Sequence, residues 1–575
     1  MAEYLSPGVY VEEFDSGMQA MDGVSTSTAG FVGMAEKGPV IGTPVFLTSF
    51  ADYQRNFGGY LSESTHGSNR FLPYAVEQFF ANGGARCFVM RVAPEDAKVA
   101  SVAMANVKME AKNPGKWGDN IKVSVAVDYK SYKTTVREID ESSEKKEYRL
   151  KNADGFEVGD TVVFMKVEGD KETPFMFNRI TRIQDGLFAF ENSIEEDVID
   201  TKPVPKVTIA RAALSVTVRC GNDAEEYKAV TFNRESPDFI ENKLAKSELV
   251  KVICGAVDGI CEPMKPISGS DEASKSFSLE GGQDGSCAKQ DDGIYMGGGV
   301  APGTRFGLES FKEVTGVSIM AIPGITSPAV QLALVGLCDL MKDRFAVLDM
   351  PEDARKVGEL LAHRAIVDSS YAAMYHPWIQ VYDKLVKKPV YIPPSGSVIG
   401  IYARSDNTRG VHKAPANEVV QNALSLSCLY NKGEQDMLNP EGVNLIRALP
   451  GQGIRIWGGR TCSSNALWKY VNVRRLFIFL EETIRTSTNW AVFEPNDAVL
   501  WMRVNLTITA FLRDQYRGGA LVGSTESEAF YVKIGYPETM SQMDILNGKM
   551  ICEIGVAPSR PAEFVIFRIT QYTRE

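Results

Sequence analysis

The sequence predicts a multidomain chain that mixes α/β and α+β folds, carries a small all-β insertion, and ends in strands that need partners. Three observations predict it. Strand-like and helix-like stretches alternate from Phe31 to Val92 and again from Ser318 to Asp349. A charged segment of short alternating runs separates those two halves, and the final part has long helical stretches but few strands. At 575 residues the chain is too long for one core, since domains average about 150 residues.

Each element follows from its residues. Phe31-Val-Gly is a short strand, and Phe71 to Ala81 is helical, with Val76, Phe79 and Phe80 on one side and Gly83-Gly84 as its stop. Arg86 to Val92 reads as a buried strand. In the second half Ser318 to Ile322 is a strand, and Ser327-Pro328 supply an N-cap and first-turn proline for a helix to Asp343. Phe345 to Asp349 is a further strand. Such alternation predicts a largely parallel sheet. Between the halves, short runs at Thr161–Val167, Asn178–Ile183 and Leu187–Phe190 are separated by Gly and Asp turns, which predicts an inserted β domain over 129–206. Helices are expected near Asn472–Thr488 and Asp497–Arg517, the latter ending at Gly518-Gly519, with strands at Ala529–Ile534 and Glu563–Gln571. A sheet that small gains most from added strands.

Both chain ends bear on this. Tyr4 to Phe14 is a Pro7-Gly8 turn running into a strand over Val9, Tyr10, Val11, Glu12 and Glu13. The other end has Phe564 and Ile566 on one face and Val565, Phe567 and Ile569 on the other, around Arg568. A strand apolar on both faces needs a sheet around it. Either each end tucks into its own domain, or strands are exchanged between subunits.

Composition excludes several classes. A hydrophobic content of 44% and charged content of 23% are those of an ordinary globular protein, and no apolar run is long enough to span a bilayer. The first residues lack a basic-then-apolar leader, so no secretion signal is expected. Nine Cys, an odd number without a Cys-x-x-Cys pair, argue for reduced thiols. The net charge of −11 argues against wholesale nucleic-acid binding. From Glu441 onward 15 Lys and Arg outnumber 13 Asp and Glu, leaving −13 for the rest, which is either scatter or a second partner for the C-terminal part.

No catalytic pattern emerges. His66, His363, His376 and His412 lack metal-ligand spacing, no Gly-x-Ser-x-Gly elbow occurs, and Met296 to Gly303 lacks the Lys-Ser/Thr of a phosphate loop. Asp349, His363 and Ser369 are triad-type residues with nothing in their spacing to join them. No cofactor and no metal are expected.

A resemblance enters through motifs in order. Ser6-Pro-Gly-Val-Tyr-Val-Glu-Glu13 resembles the opening of contractile-tail sheath proteins from phages and phage-tail-like injection systems. Asn113-Pro-Gly-Lys-Trp-Gly118, Asp238 to Lys243, Leu279 to Gly285, Ser370 to Ile379, Pro393 to Gly396 and Arg409 to Asn417 continue it. Trp457-Gly-Gly-Arg-Thr461, Val473-Arg-Arg-Leu476, Phe493-Glu-Pro-Asn496 and Pro561-Ala-Glu-Phe564 complete it, covering all but the insertion.

The resemblance implies a structural, non-enzymatic subunit that polymerises around an inner tube in an extended metastable state and contracts to drive the tube through a target envelope. It implies a linking arm at 1–30, a subtilisin-like central domain at 31–128 plus 207–405 without a protease triad, an inner α+β domain at 406–560, and a linking strand at 561–575. The subunit-linking residues are then Val9–Glu13 and Glu563–Gln571. Arg474 and Arg475 face the tube or a neighbouring subunit, or else form salt bridges within their own domain. Implied partners are further copies of the chain, an inner tube protein, baseplate and terminator or cap proteins, and paralogous sheath subunits where they share a tube. Neither nucleic acid nor membrane insertion is implied, and assembly is expected in the bacterial cytoplasm. The opening run through Glu36-Lys-Gly-Pro39 most resembles injection systems; a phage virion is the alternative, and a subtilisin-like hydrolase a remote one.

Overall fold

The computed structural model describes residues 21–140, 147–168, 171–192, 194, 207–270, 272–564 and 566. Its contacts divide the chain into two units. One takes the residues up to Ala35, Val40–Val92 and those from Ala288 onward; the other takes Glu36–Pro39 and Ala93–Cys287.

The first unit is built on a nine-stranded sheet. Its centre is parallel throughout, in the order Cys87–Val92, Ala29–Met34, Ile319–Ala321, Phe345–Asp349, Ala372–His376 and Val443–Leu449. Ala29–Met34, Phe345–Asp349 and Ala372–His376 are buried at every residue. That is why Phe31-Val-Gly and Phe345–Asp349 read as strands of mostly apolar residues, whereas Ala372–His376 is not recognised as one from sequence: a parallel strand is covered on both faces. Val45–Leu47 closes one edge antiparallel, and Gly453–Ile456 with Glu418–Val419 closes the other.

Helices Leu72–Ala81 and Ser395–Arg409 cross closely beside this sheet. Glycine makes the crossing possible. A Cβ on Gly396 would lie 2.4 Å from the Ala75 carbonyl oxygen, and one on Gly400 2.5 Å from that of Phe79. The spacing of four residues puts both glycines on one helix face. The helix Pro328–Met341 begins where the sequence places it, but Ser327 does not cap it; its hydroxyl donates to Asp292 instead.

Toward the C-terminus, helices Val471–Ser487 and Ala498–Arg517 bury Leu476, Leu480, Leu500, Val504, Ile508 and Phe511 against a two-stranded sheet, Phe530–Ile534 with Cys552–Val556. Asp497 caps the second helix, its Oδ1 accepting from the Val499 and Leu500 amides at 3.0 and 2.9 Å. Gly519, at φ +79°, turns the chain out after it.

The second unit is all β apart from short helices. Ile121–Asp128 and Ala213–Cys220 pair inside a four-stranded sheet, next to a three-stranded one formed by Ser101–Ala103, Val107–Ala111 and Val250–Cys254. The predicted insertion is a seven-stranded sheet in which Thr161–Glu168, Lys171–Gln184 and Leu187–Phe190 run as a meander. It also takes Val207–Arg211, just past the boundary read from the sequence. Residues 93–128 and 212–287, read as part of the central domain, have their sheets and core in this second unit. Here Arg211, 2% exposed, bonds Asp238 at 2.5 Å and lies over Tyr132, so the charge is buried with a partner.

Candidate functional site

Two clusters of polar contacts gather where the segments at Val24–Thr26 and at Glu563 meet helix Val471–Ser487. The N-terminal side enters along helix Val471–Ser487. The Val24 amide donates to Thr483 Oγ1 at 3.2 Å. Arg475 donates from Nη1 and Nη2 to the two oxygens of Asp406 at 2.9 and 2.6 Å, and from Nη2 to the Thr26 carbonyl at 2.9 Å. Thr26 Oγ1 completes the cluster by donating to Asp406 Oδ2 at 2.7 Å. Both charged side chains are 3% exposed, and Arg475 stacks on Tyr402. Bidentate geometry with every carboxylate oxygen occupied is what makes a buried pair tolerable.

The other end leaves beside the first turn of the same helix. After Cys552–Val556 the chain stays extended, with Val522 and Ser559 amides donating to Ala557 and Ala520 carbonyls. It then reaches Glu563, whose carboxylate accepts from Arg460 Nε at 2.7 Å, Arg460 Nη2 at 2.6 Å, Asn439 at 2.7 Å and the Tyr470 hydroxyl at 3.1 Å. Burial would raise the Glu563 pKa, but the Arg460 and Asn439 bonds outweigh it and hold the carboxyl below its ordinary range. Immediately beyond, the side chains stand in solvent: Phe564 is 72% and Ile566 79% exposed.

The strand that precedes this exit in the chain, Cys552–Val556, has an open edge. Register pairs Val532 with Ile554, and the Val532 carbonyl turns away to accept from Asn505 at 3.1 Å. The Ala557 amide reaches the Ala529 carbonyl. Both observations set the same parity, so the hydrogen-bonded pairs are Tyr531 with Gly555 and Lys533 with Glu553. The N–H and C=O groups of Cys552, Ile554 and Val556 therefore point outward, and among the described residues no strand pairs with that edge. Tyr531 lies across Gly555, where a Cβ would come within 2.2 Å of its ring, so the edge strand is kept flat at that position.

Comparison with known proteins places this arrangement. The phage tail sheath protein central domain matches residues 301–462, and the phage tail sheath C-terminal domain matches 463–571. The tail sheath protein of Escherichia phage P2 is 24% identical over 60% of this chain and 87% of its own length. A prophage major tail sheath protein of Pseudomonas aeruginosa is 25% identical over 48% of this chain and 71% of its own. The chain belongs to the tail sheath protein family. Its fold extends over 99% of the chain to the sheath of an extracellular contractile injection system solved in the contracted state, with TM-score 0.52, 20% identity and 99% of that chain covered. The anti-feeding prophage sheath, also contracted, matches 98% of the chain at the same score.

Among the residues singled out in this sheath protein's sequence, Val9, Tyr10, Val11, Glu12, Glu13, Val565, Phe567, Arg568 and Ile569 lie outside the described residues. Pro561–Phe564 and Ile566 belong to no strand. Arg474 and Arg475, 6% and 4% exposed, have their contacts within their own unit. Arg474 packs 3.5 Å over Trp468 and bonds Ser370. Burial of its guanidinium lowers its pKa. The triad-type residues do not join. Asp349 accepts from Ser395 at 2.7 Å, His363 meets Gln331 at 3.0 Å, and Ser369 donates to Asp339 at 3.0 Å. Among the described residues no cluster has the makings of a metal site, and no helix is long and apolar enough to cross a membrane. Sequence reasoning missed the edge residues Cys552, Ile554 and Val556, since Cys-Glu-Ile-Gly-Val is short and interrupted by glycine. It quoted Arg460 inside a motif without assigning it a partner.

Proposed function

We propose that this chain is a sheath subunit of a contractile, phage-tail-like injection machine, polymerising around an inner tube and contracting to drive that tube through a target envelope. The observation that carries the reading is a sheet edge that no strand among the described residues pairs with, in a chain whose two ends read as strands that need partners. An edge of Cys552, Ile554 and Val556 offers three donors and three acceptors. A strand added from a neighbouring copy forms backbone bonds worth about 1 kcal/mol net each, and each buried Val, Ile or Phe adds about 1.5–3 kcal/mol. Val9–Glu13 and Phe564–Ile569 are the strands we assign to this exchange; Glu563, which the sequence reads as the first residue of that strand, is bound by Arg460 of its own unit instead. The energy of contraction then comes from surface buried between subunits, since no nucleotide or catalytic site is needed. Asp349, Ser369 and His363, each satisfied elsewhere, support a non-enzymatic central domain with a subtilisin-like parallel sheet.

Burial of Arg474 and Arg475 moves the candidate tube-facing surface to helix Ala498–Arg517. Its outer face sets Val499, Met502 and Leu506, each 49–60% exposed, beside the exposed Arg503. An exposed apolar stripe with a cation beside it fits a partner with an apolar centre and an acidic group at its margin. Full-length kinship in fold to sheaths of injection systems supports that assignment, and the phage and prophage relatives support a virion tail as the second reading.

The test is negative-stain electron microscopy of the purified protein beside a variant lacking residues 562–575, each with inner tube supplied. Striated tubes from the full chain alone are expected. Tubes from both would contradict linkage through the C-terminal end, and none from the full chain would contradict the sheath role.

A further inference from the structure

Three motifs of the sequence far apart along the chain share one site: Trp457 to Thr461, Val473 to Leu476, and Pro561 to Phe564. The structure brings all three to one helix. Arg460 from the first holds Glu563 from the third. Arg475 from the second holds Asp406 and, through it, Thr26. Tyr470, which precedes the helix Val471–Ser487, bonds Glu563; Arg475 and Thr483 within it bond the segment at Val24–Thr26.

We propose that these two ion-pair clusters are the anchors of the linking arms, fixing the segments at Val24–Thr26 and at Glu563 to helix Val471–Ser487 so that tension between copies passes from one to the other through that helix. The inference rests on the reading that the ends link copies, and adds the residues that bear the load. Its physical basis is the contrast across one residue. Glu563 carries four hydrogen bonds on a side chain 19% exposed, whereas Phe564 and Ile566 are almost wholly in solvent. An arm free to pivot loses affinity through the entropy of every orientation it samples, so a fixed root pre-organises it for its neighbour. The root must also resist pulling. Arg460 donates two parallel bonds in a fork that Lys does not reproduce. From Tyr470 to Arg475 the two anchors are separated by about 7.5 Å of helix at 1.5 Å per residue, a short and stiff connection.

The test compares the full chain, Glu563→Gln, the exchanged pair Arg460→Glu with Glu563→Arg, and the variant lacking 562–575. Each is checked for folding by circular dichroism, then for critical concentration of assembly by sedimentation and for tube length after fixed shear. Glu563→Gln is expected to fold as the parent does, to raise the critical concentration at least tenfold, and to give tubes that break shorter. The exchanged pair is expected to recover part of that loss. If Glu563→Gln assembles like the parent while the truncation does not assemble, the anchor is wrong and the linking role stands. If the truncation also assembles like the parent, the linking role fails and takes the anchor with it.

Discussion

Asp406→Ala is the most demanding perturbation of the buried N-terminal cluster. The change removes both carboxylate acceptors from Arg475 and the acceptor of the Thr26 hydroxyl, leaving a guanidinium 3% exposed with the Thr26 carbonyl as its remaining polar partner in the cluster. Removing one member of a buried ion pair costs about 3–5 kcal/mol, because the other charge stays desolvated. At about 1.4 kcal/mol per factor of ten, local opening becomes on the order of 10²–10³ more frequent. Amide hydrogen exchange over Val471–Ser487 and Gly23–Thr28 reads that opening directly. The neutral pair Asp406→Leu with Arg475→Met should recover most of the loss, since it buries no charge. Less than a tenfold change in exchange for Asp406→Ala would refute the view that this pair fixes the segment to the helix.

Two further outcomes follow from the same structure. Burial pushes the Asp349 carboxyl up to about 6 from an ordinary 3.8, against the opposing bonds from Ser395 and Gly324. The folded state thus holds this proton more tightly than the unfolded one. The contribution is complete below pH ~4 and is lost as pH rises to ~6, about 3 kcal/mol in all. Thermal melts should therefore fall more steeply between pH 4 and pH 7 for the parent than for Asp349→Asn, and parallel curves would contradict it. Met502→Asp with Leu506→Asp should leave the fold unchanged, both side chains being exposed, and abolish co-sedimentation with inner tube; undiminished binding would remove that face from consideration.

Much of the architecture was legible because each signal was local. Leu187–Phe190 is a strand with the boundaries the sequence sets, and Ala498–Arg517 begins after Asp497 and stops at Gly518-Gly519 as the cap and glycine pair dictate. The fully buried parallel strands Ala29–Met34 and Phe345–Asp349 announced themselves as mostly apolar runs. What stayed hidden depended on distance along the chain. Arg460 meets Glu563 across 103 positions and Arg475 meets Thr26 across 449, so nothing in either neighbourhood names the partner. The division of residues 93–287 into a unit of their own was equally invisible, because the strands Ile121–Asp128 and Ala213–Cys220 pair across the insertion. The open edge was missed for a different reason: whether a strand is paired on one side or two depends on which strands lie beside it in the fold, which periodicity does not encode.

The most direct test of the central claim, that copies join by adding strands to the Cys552–Val556 edge, is amide hydrogen exchange at Cys552, Ile554 and Val556 before and after assembly. In the unassembled protein these outward amides should exchange rapidly, while Gly555 and Glu553, paired inward, exchange slowly. In assembled tubes the account predicts that Cys552, Ile554 and Val556 become protected at least a hundredfold. Equal exchange in both states, with tubes present, would contradict it.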